Sequence, residues 1–203
     1  MLHACPMDIV LASTELAPYA RVGAMADVVA ALSKTLRQHG HKVTVVLPRY
    51  ASFAQTGLLV ARRLTPLTFA MGGVQQTVTV YDGRLASGVD VTLLDWPALA
   101  ERPGIYGTDA GDFNDNPAVF AMFSRAVVEL VRQRARAGAA PDVVHVNDWA
   151  TALVPVYAKH VEPEPAADKT RYVLSIHNLA YQGVVDPSML DALSLPGSLF
   201  HPD

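Results

Sequence analysis

Short apolar runs alternate with amphipathic stretches along most of this chain. The apolar runs have the length of buried parallel strands and lie at residues 8–13 (DIVLAS), 42–47 (KVTVVL), 142–146 and 171–177. The stretches with apolar side chains at helical spacing lie at 24–39, 116–136 and 149–160. This alternation predicts a doubly wound, Rossmann-like α/β fold, with a mostly parallel sheet and helices on both faces.

The pattern changes between residues 56 and 116. Short β-rich runs at 58–64, 74–81 and 89–94 are separated by turns that contain glycine. We expect these runs to form a β-hairpin excursion from the main sheet. The stretch 97–116 is rich in Gly, Asp and Pro and predicts an irregular surface loop. A short helix is expected at 187–193.

Composition narrows the class of protein. The chain has 203 residues, of which 51% are hydrophobic, and this is enough for one large domain, expected at 7–203 after a loose leader at 1–6. A net charge of -3 without a basic block argues against nucleic-acid binding. No apolar run approaches the roughly 20 residues that cross a bilayer, and no signal peptide is evident. With Cys5 as the single cysteine, we expect a cytoplasmic protein without membrane attachment.

Several kinds of catalytic site are disfavoured by missing motifs. The seven histidines show no metal-ligand spacing, so we expect no metal site. A GxGxxG fingerprint is absent, which argues against a nicotinamide dehydrogenase. The GxSxG elbow of many serine hydrolases is absent too.

Polar clusters follow three of the predicted strands. In open parallel sheets, ligands bind outside the carboxyl ends of the strands. The first cluster, 15–27, joins Arg21 and Gly23 to the start of a helix, which suits a phosphate but also suits a tight turn with a surface arginine. The second cluster contains His145, Asn147, Asp148 and Trp149.

The second cluster has two interpretations. Its polar groups suit sugar recognition with Trp149 as a wall, but Asp148 and Trp149 also suit a helix cap and a core residue. The third cluster, 175–183 (SIHNLAYQG), places a His-Asn pair at the end of the strand predicted at 171–177, and Asp115 and Asn116 add a fourth loop. Three polar strand ends in one domain favour a ligand crevice, because buried polar groups are costly without partners.

The order of these blocks resembles one enzyme family. The blocks are 13–50 (STELAPYARVGAMADVVAALSKTLRQHGHKVTVVLPRY), Asp115-Asn116 with Phe120, 141–155 (PDVVHVNDWATALVP), 175–183 (SIHNLAYQG) and 193–203 (LSLPGSLFHPD). From residue 7 onward the chain is similar to bacterial glycogen synthases and plant starch synthases, the family-five retaining glycosyltransferases.

The resemblance implies a fold and a reaction. Such enzymes are of the GT-B type, with two Rossmann-like domains that face each other across a cleft. They transfer glucose from ADP-glucose, or UDP-glucose in some, to the non-reducing end of an α-1,4-glucan with retention and without a metal. The C-terminal domain grips the nucleotide and carries an essential glutamate and a cationic pair. The resemblance makes this chain the N-terminal domain, and we expect the chain by itself to be inactive.

The resemblance also implies roles for residues. It implies catalytic roles for Asp115, Asn147 and His177, donor or phosphate contacts for Arg21, Gly23 and Ala24, and sugar or acceptor contacts for Glu15, Asn116, His145, Asp148, Asn178, Tyr181 and Gln182.

Four of the family's functional positions differ in this sequence. Arg21 stands where the family has lysine, Ala24 replaces a second glycine, Val119 replaces an arginine, and Asn147 replaces a histidine near the transferred glucose. Asparagine forms hydrogen bonds but cannot carry a proton charge. These changes leave two alternatives to a glucosyltransferase that uses ADP-glucose: a non-catalytic glucan- or partner-binding module, and a related transferase with another sugar nucleotide.

Overall fold

The computed structural model describes residues 5–100 and 102–200. Its strands are β1 (Asp8–Ala12), β2 (Lys42–Pro48), β3 (Val60–Arg62), β4 (Leu67–Met71), β5 (Val74–Arg84), β6 (Asp90–Asp95), β7 (Gly107–Thr108), β8 (Gly111–Asp112), β9 (Val143–Asn147) and β10 (Arg171–Ser175). Its α-helices are α1 (Ala24–Gln38), α2 (Pro97–Ala100), α3 (Asn116–Arg136) and α4 (Leu153–Val156). Short 3-10 turns lie at Ala51–Gln55, Trp149–Thr151, Pro165–Ala167, Pro187–Met189 and Gly197–Leu199.

Eight strands form one sheet in the order β10-β9-β1-β2-β6-β5-β3, with β4 paired to β5. The first five of these pair in parallel, and β5 pairs antiparallel with β6, β3 and β4. This confirms the predicted doubly wound, mostly parallel sheet. The strand order reverses beside β1, because β2 and β6 are added on one side and β9 and β10 on the other. Ligands bind at such reversal points, outside the carboxyl ends of the strands.

The hydrophobic core is built around the parallel strands and α3. Val10, Leu11 and Val45 in β1 and β2 are completely buried. Every residue of α3 from 119 to 131 is buried as well. A helix buried on all sides needs partners on more than one face, and α3 packs against β4, α4 and the 3-10 turn after β9. The N-terminus of α3 is thereby fixed beside the carboxyl ends of the strands.

Two strand predictions need correction. The run at 89–94 was expected in the hairpin excursion, but it forms β6, which pairs in parallel with β2 in the main sheet. The sequence prediction also missed β4. The Gly72-Gly73 turn that joins β4 to β5 has positive φ at both positions, 57° and 74°. Two glycines of this conformation are the usual connection of a tight hairpin.

The segment 97–116 is not the irregular surface loop that its composition predicted. It contains α2 and the β7–β8 hairpin. Leu99, Arg102 and Ile105 in this segment are buried. Glycine and proline correctly indicate turns, but they do not indicate which side chains of these turns are buried in the protein.

Two predicted helices are less regular than expected. The helix at 149–160 is divided into a 3-10 turn, α4 and a π-helical turn at Tyr157–Val161. Pro155 lies inside α4 and has no N–H for the helical hydrogen-bond ladder, which explains the irregular winding. The helix expected at 187–193 is only the 3-10 turn Pro187–Met189 followed by turns. Strand β10 ends at Ser175, so His177 lies in the following loop.

The two ends of the predicted domain stay predictions. Of the expected leader at 1–6, only Cys5 and Pro6 are among the described residues, and both are exposed. The last three residues of the block at 193–203 also lie outside them. Within the described part of the chain, no helix is both long and apolar enough to cross a membrane.

Candidate active site

A cleft of about 580 Å³ opens at the carboxyl ends of the parallel strands, beside β1 and β9. This is the place that the reversal of strand order predicts for a ligand. Eight of the residues expected in the site line it: Glu15, Gly23, Ala24, Asn116, Asp148, His177, Asn178 and Tyr181. Five others do not: Arg21, Asp115, His145, Asn147 and Gln182.

Glu15, just after β1, holds the loop that precedes α1. The residue is 3% exposed. Its Oε2 accepts hydrogen bonds from the backbone N–H groups of Val22 and Gly23, both at 2.7 Å. Among the described residues, no cation forms an ion pair with Glu15. The two amides and the positive end of α1 therefore stabilise the buried carboxylate.

This arrangement changes the expected phosphate loop. The N–H of Gly23, expected to face a phosphate, already donates to Glu15. Ala24 and Met25, in the first turn of α1, line the cleft. N–H groups in the first turn of a helix have no acceptor within the helix. They are the backbone donors that remain for an anion.

Arg21 does not line the cleft. Its guanidinium pairs with Asp27 on α1, with Nη2–Oδ2 at 2.8 Å. The hydrogen bond and the charge of Asp27 raise the pKa of Arg21 above its ordinary value. Both side chains are more than half exposed, so this is a surface ion pair of the kind that contributes little to stability.

Tyr106, which the sequence analysis missed, closes the other side of the cleft. Its hydroxyl donates to Oε1 of Glu15 at 3.0 Å and lies 2.6 Å from Oγ1 of Thr14. Since the phenol proton points to the carboxylate, Thr14 is the donor in the second bond. Burial and the charge of Glu15 raise the pKa of Tyr106 far above its ordinary value, so the phenol stays protonated. The sequence feature that could have pointed to Tyr106 is an aromatic residue between Ile105 and Gly107.

Asp115 and Asn116 lie at the start of α3 and are held by Arg102. Nη1 of Arg102 lies 2.6 Å from Oδ1 of Asp115, and Nη2 donates to Oδ1 of Asn116. The amide of Asn116 donates in turn to the carbonyl oxygen of Tyr106 at 2.7 Å. Asn116 is 5% exposed and only borders the cleft, whereas Asp115 points to Arg102. Both residues organise the cleft wall.

His177 lies in the cleft, and Asn147 lies behind it. Asn147 is 1% exposed, and its Nδ2 donates to the carbonyl oxygen of Ala12 at 3.0 Å. This bond fixes the amide orientation, so Oδ1 of Asn147 faces Nε2 of His177 at 3.0 Å. An amide oxygen only accepts, and Nε2 of His177 therefore carries a proton. The residue in place of the family's histidine thus orients His177 from within the core.

His145, on β9, is half-buried, whereas His177 is exposed. Its Nε2 lies 2.7 Å from Oγ of Ser175. Burial, and to a lesser extent the nearby His177, lower the pKa of His145 below its ordinary value. A neutral imidazole with a hydroxyl partner, outside the cleft, joins β9 to β10.

Asp148 does not cap the turn that follows it. Its backbone has a φ of 56°, and its side chain forms no capping hydrogen bond. Oδ1 of Asp148 instead accepts the backbone N–H of His177 at 2.6 Å. A carboxylate with one oxygen used in this way keeps acceptor capacity for a ligand. The capping interpretation of Asp148 was therefore wrong.

Trp149 and the loop after β10 form the aromatic end of the cleft. The indole packs edge-on against Phe120, with ring centroids 5.1 Å apart. On another side it touches the backbone of Gly183, where a Cβ would collide with the ring. Tyr181 lines the cleft and is exposed. Trp149 therefore serves both interpretations, since it packs against the core and faces the cleft.

Two amides shape the loop after β10. Oδ1 of Asn178 accepts the N–H of Ala180 at 3.0 Å, which stabilises a tight turn. Nε2 of Gln182 donates to the carbonyl oxygen of Leu179 at 3.0 Å. Asn178 also lines the cleft, so its amide nitrogen is available to a ligand. Gln182 is a loop residue in this structure.

Comparisons with known proteins agree with this architecture. The family model "Starch synthase catalytic domain" matches residues 8–203. Glycogen synthase of Koribacter versatilis (strain Ellin345) is 36% identical over 96% of this chain, which covers 39% of that relative. Glycogen synthase 2 of Geobacter sulfurreducens is also 36% identical, with 96% and 40% of the two chains covered. The chain thus spans about 40% of the length of these relatives.

A solved structure has the same fold. The catalytic domain of starch synthase IV from Arabidopsis thaliana, bound to ADP and acarbose, superposes with a TM-score of 0.85 at 28% identity. The match covers 96% of this chain and 38% of that one, and it confirms the expected GT-B class. With its doubly wound sheet, its cleft at the strand reversal and a family match over nearly its whole length, the chain belongs to the starch synthase catalytic domain family.

Proposed function

We propose that this chain is the N-terminal domain of a glycogen or starch synthase. The enzyme would transfer glucose from ADP-glucose to the non-reducing end of an α-1,4-glucan with retention. One observation carries the proposal: Glu15, Asp148 and His177, which follow three different strands, line one cleft where the strand order reverses. A relative of the same fold is solved with ADP and acarbose bound, which supports the proposal.

The polar groups beside Trp149 suit a sugar. Asp148 offers a free carboxylate oxygen, Asn178 an amide, and His177 an imidazole, so hydroxyl groups find both acceptors and donors. Trp149 and Tyr181 offer aromatic surface for the apolar faces of a pyranose ring. We assign the acceptor glucan and the transferred glucose to this end of the cleft.

The N-terminus of α1 suits the diphosphate. The N–H groups of Ala24 and Met25 and the helix dipole favour an anion there. Of the described residues that line the cleft, none is a lysine or an arginine, and Arg21 would have to leave Asp27 to take part. We therefore propose that most of the positive charge for the diphosphate comes from a second, C-terminal domain, as in the family that this chain resembles.

The proposed transfer uses groups of this chain to hold and orient. The bond between the anomeric carbon and the diphosphate breaks, a bond to the acceptor hydroxyl oxygen forms, and the hydroxyl proton leaves with the diphosphate. His177, oriented by Asn147, would contact the transferred glucose. Asp115 and Asn147 would act through the residues that they position, because neither lines the cleft.

Calorimetric titration of the chain with ADP and with maltopentaose tests the binding half of the proposal. We expect both ligands to bind, and His177→Ala to weaken maltopentaose binding by about tenfold through loss of a hydrogen bond to a charged or polar partner. His39→Ala, on an exposed histidine beyond α1, is the matched control and should bind as the wild type does. Absence of binding of both ligands would refute the proposal.

A transfer assay with ADP-glucose and with UDP-glucose tests the catalytic half. The protein that includes the second domain should elongate maltopentaose, and the chain by itself should not, because retaining transfer needs charge stabilisation from both sides of the cleft. Elongation by the chain alone would show that the second domain is dispensable.

Metal independence and a cytoplasmic location also belong to this proposal. Among the described residues, no group of three or more His, Cys, Asp and Glu side chains is arranged to hold a metal ion. Transfer that persists in excess EDTA would support metal independence, and loss of transfer that Mg²⁺ restores would oppose it. The single cysteine, Cys5, is compatible with a reducing compartment.

A further inference from the structure

Arg102 is a buried cation in an unfavourable place. Its side chain is 4% exposed. It lies at the N-terminus of α3, because its partners Asp115 and Asn116 are the capping residue and the first residue of that helix. A helix N-terminus carries a partial positive charge, and burial of a cation is unfavourable until its partners compensate for the lost hydration. Packing alone would be served better by an apolar side chain.

Each of the three nitrogens of the guanidinium has an acceptor within reach. Nη1 and Nη2 donate to Asp115 and Asn116 on the helix, and Nε donates to the carbonyl oxygen of Ile105 at 3.3 Å. The guanidinium carbon lies 4.2 Å from the ring centre of Phe113. One planar group thereby joins both ends of the loop 105–113 to the start of α3.

A series of hydrogen bonds, connected through the covalent frames of Asn116, Tyr106 and Glu15, leads from Arg102 to the opposite wall of the cleft. Because Oδ1 of Asn116 accepts from Arg102, its Nδ2 is directed to the carbonyl oxygen of Tyr106. The hydroxyl of Tyr106 donates to Oε1 of Glu15. The other oxygen of Glu15 accepts the N–H groups of Val22 and Gly23 in the loop before α1.

We propose that Arg102 is a positioning residue for the cleft. Arg102 fixes the position of Tyr106 through Asn116. Through Tyr106 and Glu15 it also fixes the position of the loop that contains Val22 and Gly23. One buried cation thereby holds the two walls of the cleft in their relative position. A contribution of Arg102 to catalysis rests on the proposed function. The positioning of the two cleft walls by Arg102 does not depend on that function. A merely structural arginine would lower stability when changed and leave the distant amides as they are.

Arg102→Lys tests the proposal, with Arg125→Lys as the matched control. Both substitutions keep the charge and lose the planar fork. Arg125 is completely buried on α3, pairs with Glu162 at 2.9 Å and lies outside the cleft. Tyr106→Phe, which removes one hydroxyl from the series, is a second variant for the case that Arg102→Lys does not fold.

The first readout is amide hydrogen exchange of Val22 and Gly23. We expect about tenfold faster exchange in Arg102→Lys and in Tyr106→Phe, from the loss of one hydrogen bond to a charged group, and no change in Arg125→Lys. Unchanged protection of both amides in folded Arg102→Lys or in folded Tyr106→Phe overturns the proposal, as does an equal loss in the Arg125→Lys control.

The second readout is the affinity for maltopentaose, compared between the Arg102→Lys and Arg125→Lys variants under conditions in which both have the same free energy of unfolding. We expect Arg102→Lys to bind about tenfold more weakly than Arg125→Lys, because misplaced groups lose affinity even in a folded protein. Equal affinities in the two variants count against the proposal. If the wild type does not bind maltopentaose or ADP, the proposed function fails, and hydrogen exchange at Val22 and Gly23 alone still decides the positioning role.

Discussion

Oε2 of Glu15 lies 2.7 Å from the backbone nitrogen of Gly23 and at the same distance from that of Val22. The two N–H groups that the sequence would offer to a phosphate therefore already hold an anion of the protein itself. The same carboxylate accepts the hydroxyl of Tyr106 across the cleft. Glu15 is thus the point at which the loop before α1 and the loop before α3 are joined.

Glu15→Ala should destabilise the protein and improve phosphate binding. The substitution removes three hydrogen bonds to a buried charge, so we expect the free energy of unfolding in urea to fall by about 3 kcal/mol. It also frees the N–H groups of Val22 and Gly23 and removes a negative charge, so inorganic phosphate should bind more tightly in calorimetry.

Glu15→Gln is the control for that experiment. The amide oxygen still accepts from the loop, and the free energy of unfolding should fall by only about 1 kcal/mol. Equal losses in both variants would contradict this expectation, because the isosteric amide would then stabilise the loop no better than a missing side chain. Unchanged phosphate affinity in Glu15→Ala would mean that the two amides are not an anion site.

The contact of Glu15 with the loop before α1 could not be predicted from local sequence patterns. The turn, the glycine and the helix start were all predictable from local spacing. The carboxylate that satisfies the amides of Val22 and Gly23 comes from seven and eight positions earlier, at the end of a strand. Local capping rules search one turn of helix and do not include such a partner.

Gly183→Ala should disturb Trp149 more than backbone strain alone explains. Gly183 has a φ of +64°, and a Cβ there would collide with the indole. We expect the free energy of unfolding to fall by about 3 kcal/mol, from strain and overpacking together. The tryptophan fluorescence spectrum should shift as the ring moves.

Gly57→Ala is the matched control for Gly183. Gly57 has a φ of +70°, and an added Cβ would meet nothing within 4 Å. Strain alone should cost about 1 kcal/mol without a change in fluorescence. Identical losses in the two variants would show that the contact between Gly183 and Trp149 does not matter.

The buried tyrosines predict a loss of stability at alkaline pH. Burial raises the pKa values of Tyr50, Tyr106 and Tyr157 above the ordinary 10.0. The unfolded chain therefore releases these protons at a lower pH than the folded chain does. Their contribution is fully present below pH about 10 and is lost as the pH rises further, by about 1.4 kcal/mol per pH unit for each group.

Phenolate absorbance during an alkaline titration checks this prediction. The absorbance of these tyrosines should rise together with the loss of circular dichroism, and Tyr106→Phe should make the pH dependence shallower by one group. Ionisation of all seven tyrosines near pH 10 in a protein that stays folded would contradict it.

His145 predicts a loss of stability at acid pH. Burial, with a smaller effect of His177, lowers the pKa of His145 below the ordinary 6.5. Between the two pKa values, His145 is therefore protonated in the unfolded chain and neutral in the folded chain. The contribution of His145 is present above pH about 6.5 and is lost as the pH falls through its folded pKa. The pH dependence of unfolding should become weaker in His145→Gln, and a proton NMR titration gives the pKa directly. An ordinary or raised value would contradict the prediction.

The fold was easier to predict from the sequence than the site, and individual strands and loops show why. Buried parallel strands such as β1 and β2 are continuous apolar runs, which any local pattern detects. β4 was missed, although the Gly72-Gly73 turn marked a hairpin, because LTFAM alternates buried and exposed side chains and is not a continuous apolar run. Arg102 and Tyr106 were missed because glycine and proline dominate the composition around them, and their partners come from other elements.

The polar strand ends converge as predicted, but not with equal exposure. Asp148 and His177 reach the cleft, whereas Asn147, in the same block, is turned into the core. Alternation along a strand gives the face of a side chain and not its distance from a ligand. The substitution of the family's histidine by Asn147 is therefore best understood from its two partners, Ala12 and His177.

NMR can show directly whether the cleft beside β1 and β9 binds a glucan and a nucleotide, as we propose. The amide signals of isotope-labelled chain are followed while maltopentaose and then ADP are added. We expect maltopentaose to shift the amides of Tyr106, Trp149 and Asn178 and ADP to shift those of Ala24 and Met25. Shifts confined to residues outside the cleft, or none from either ligand in the folded chain, would contradict it.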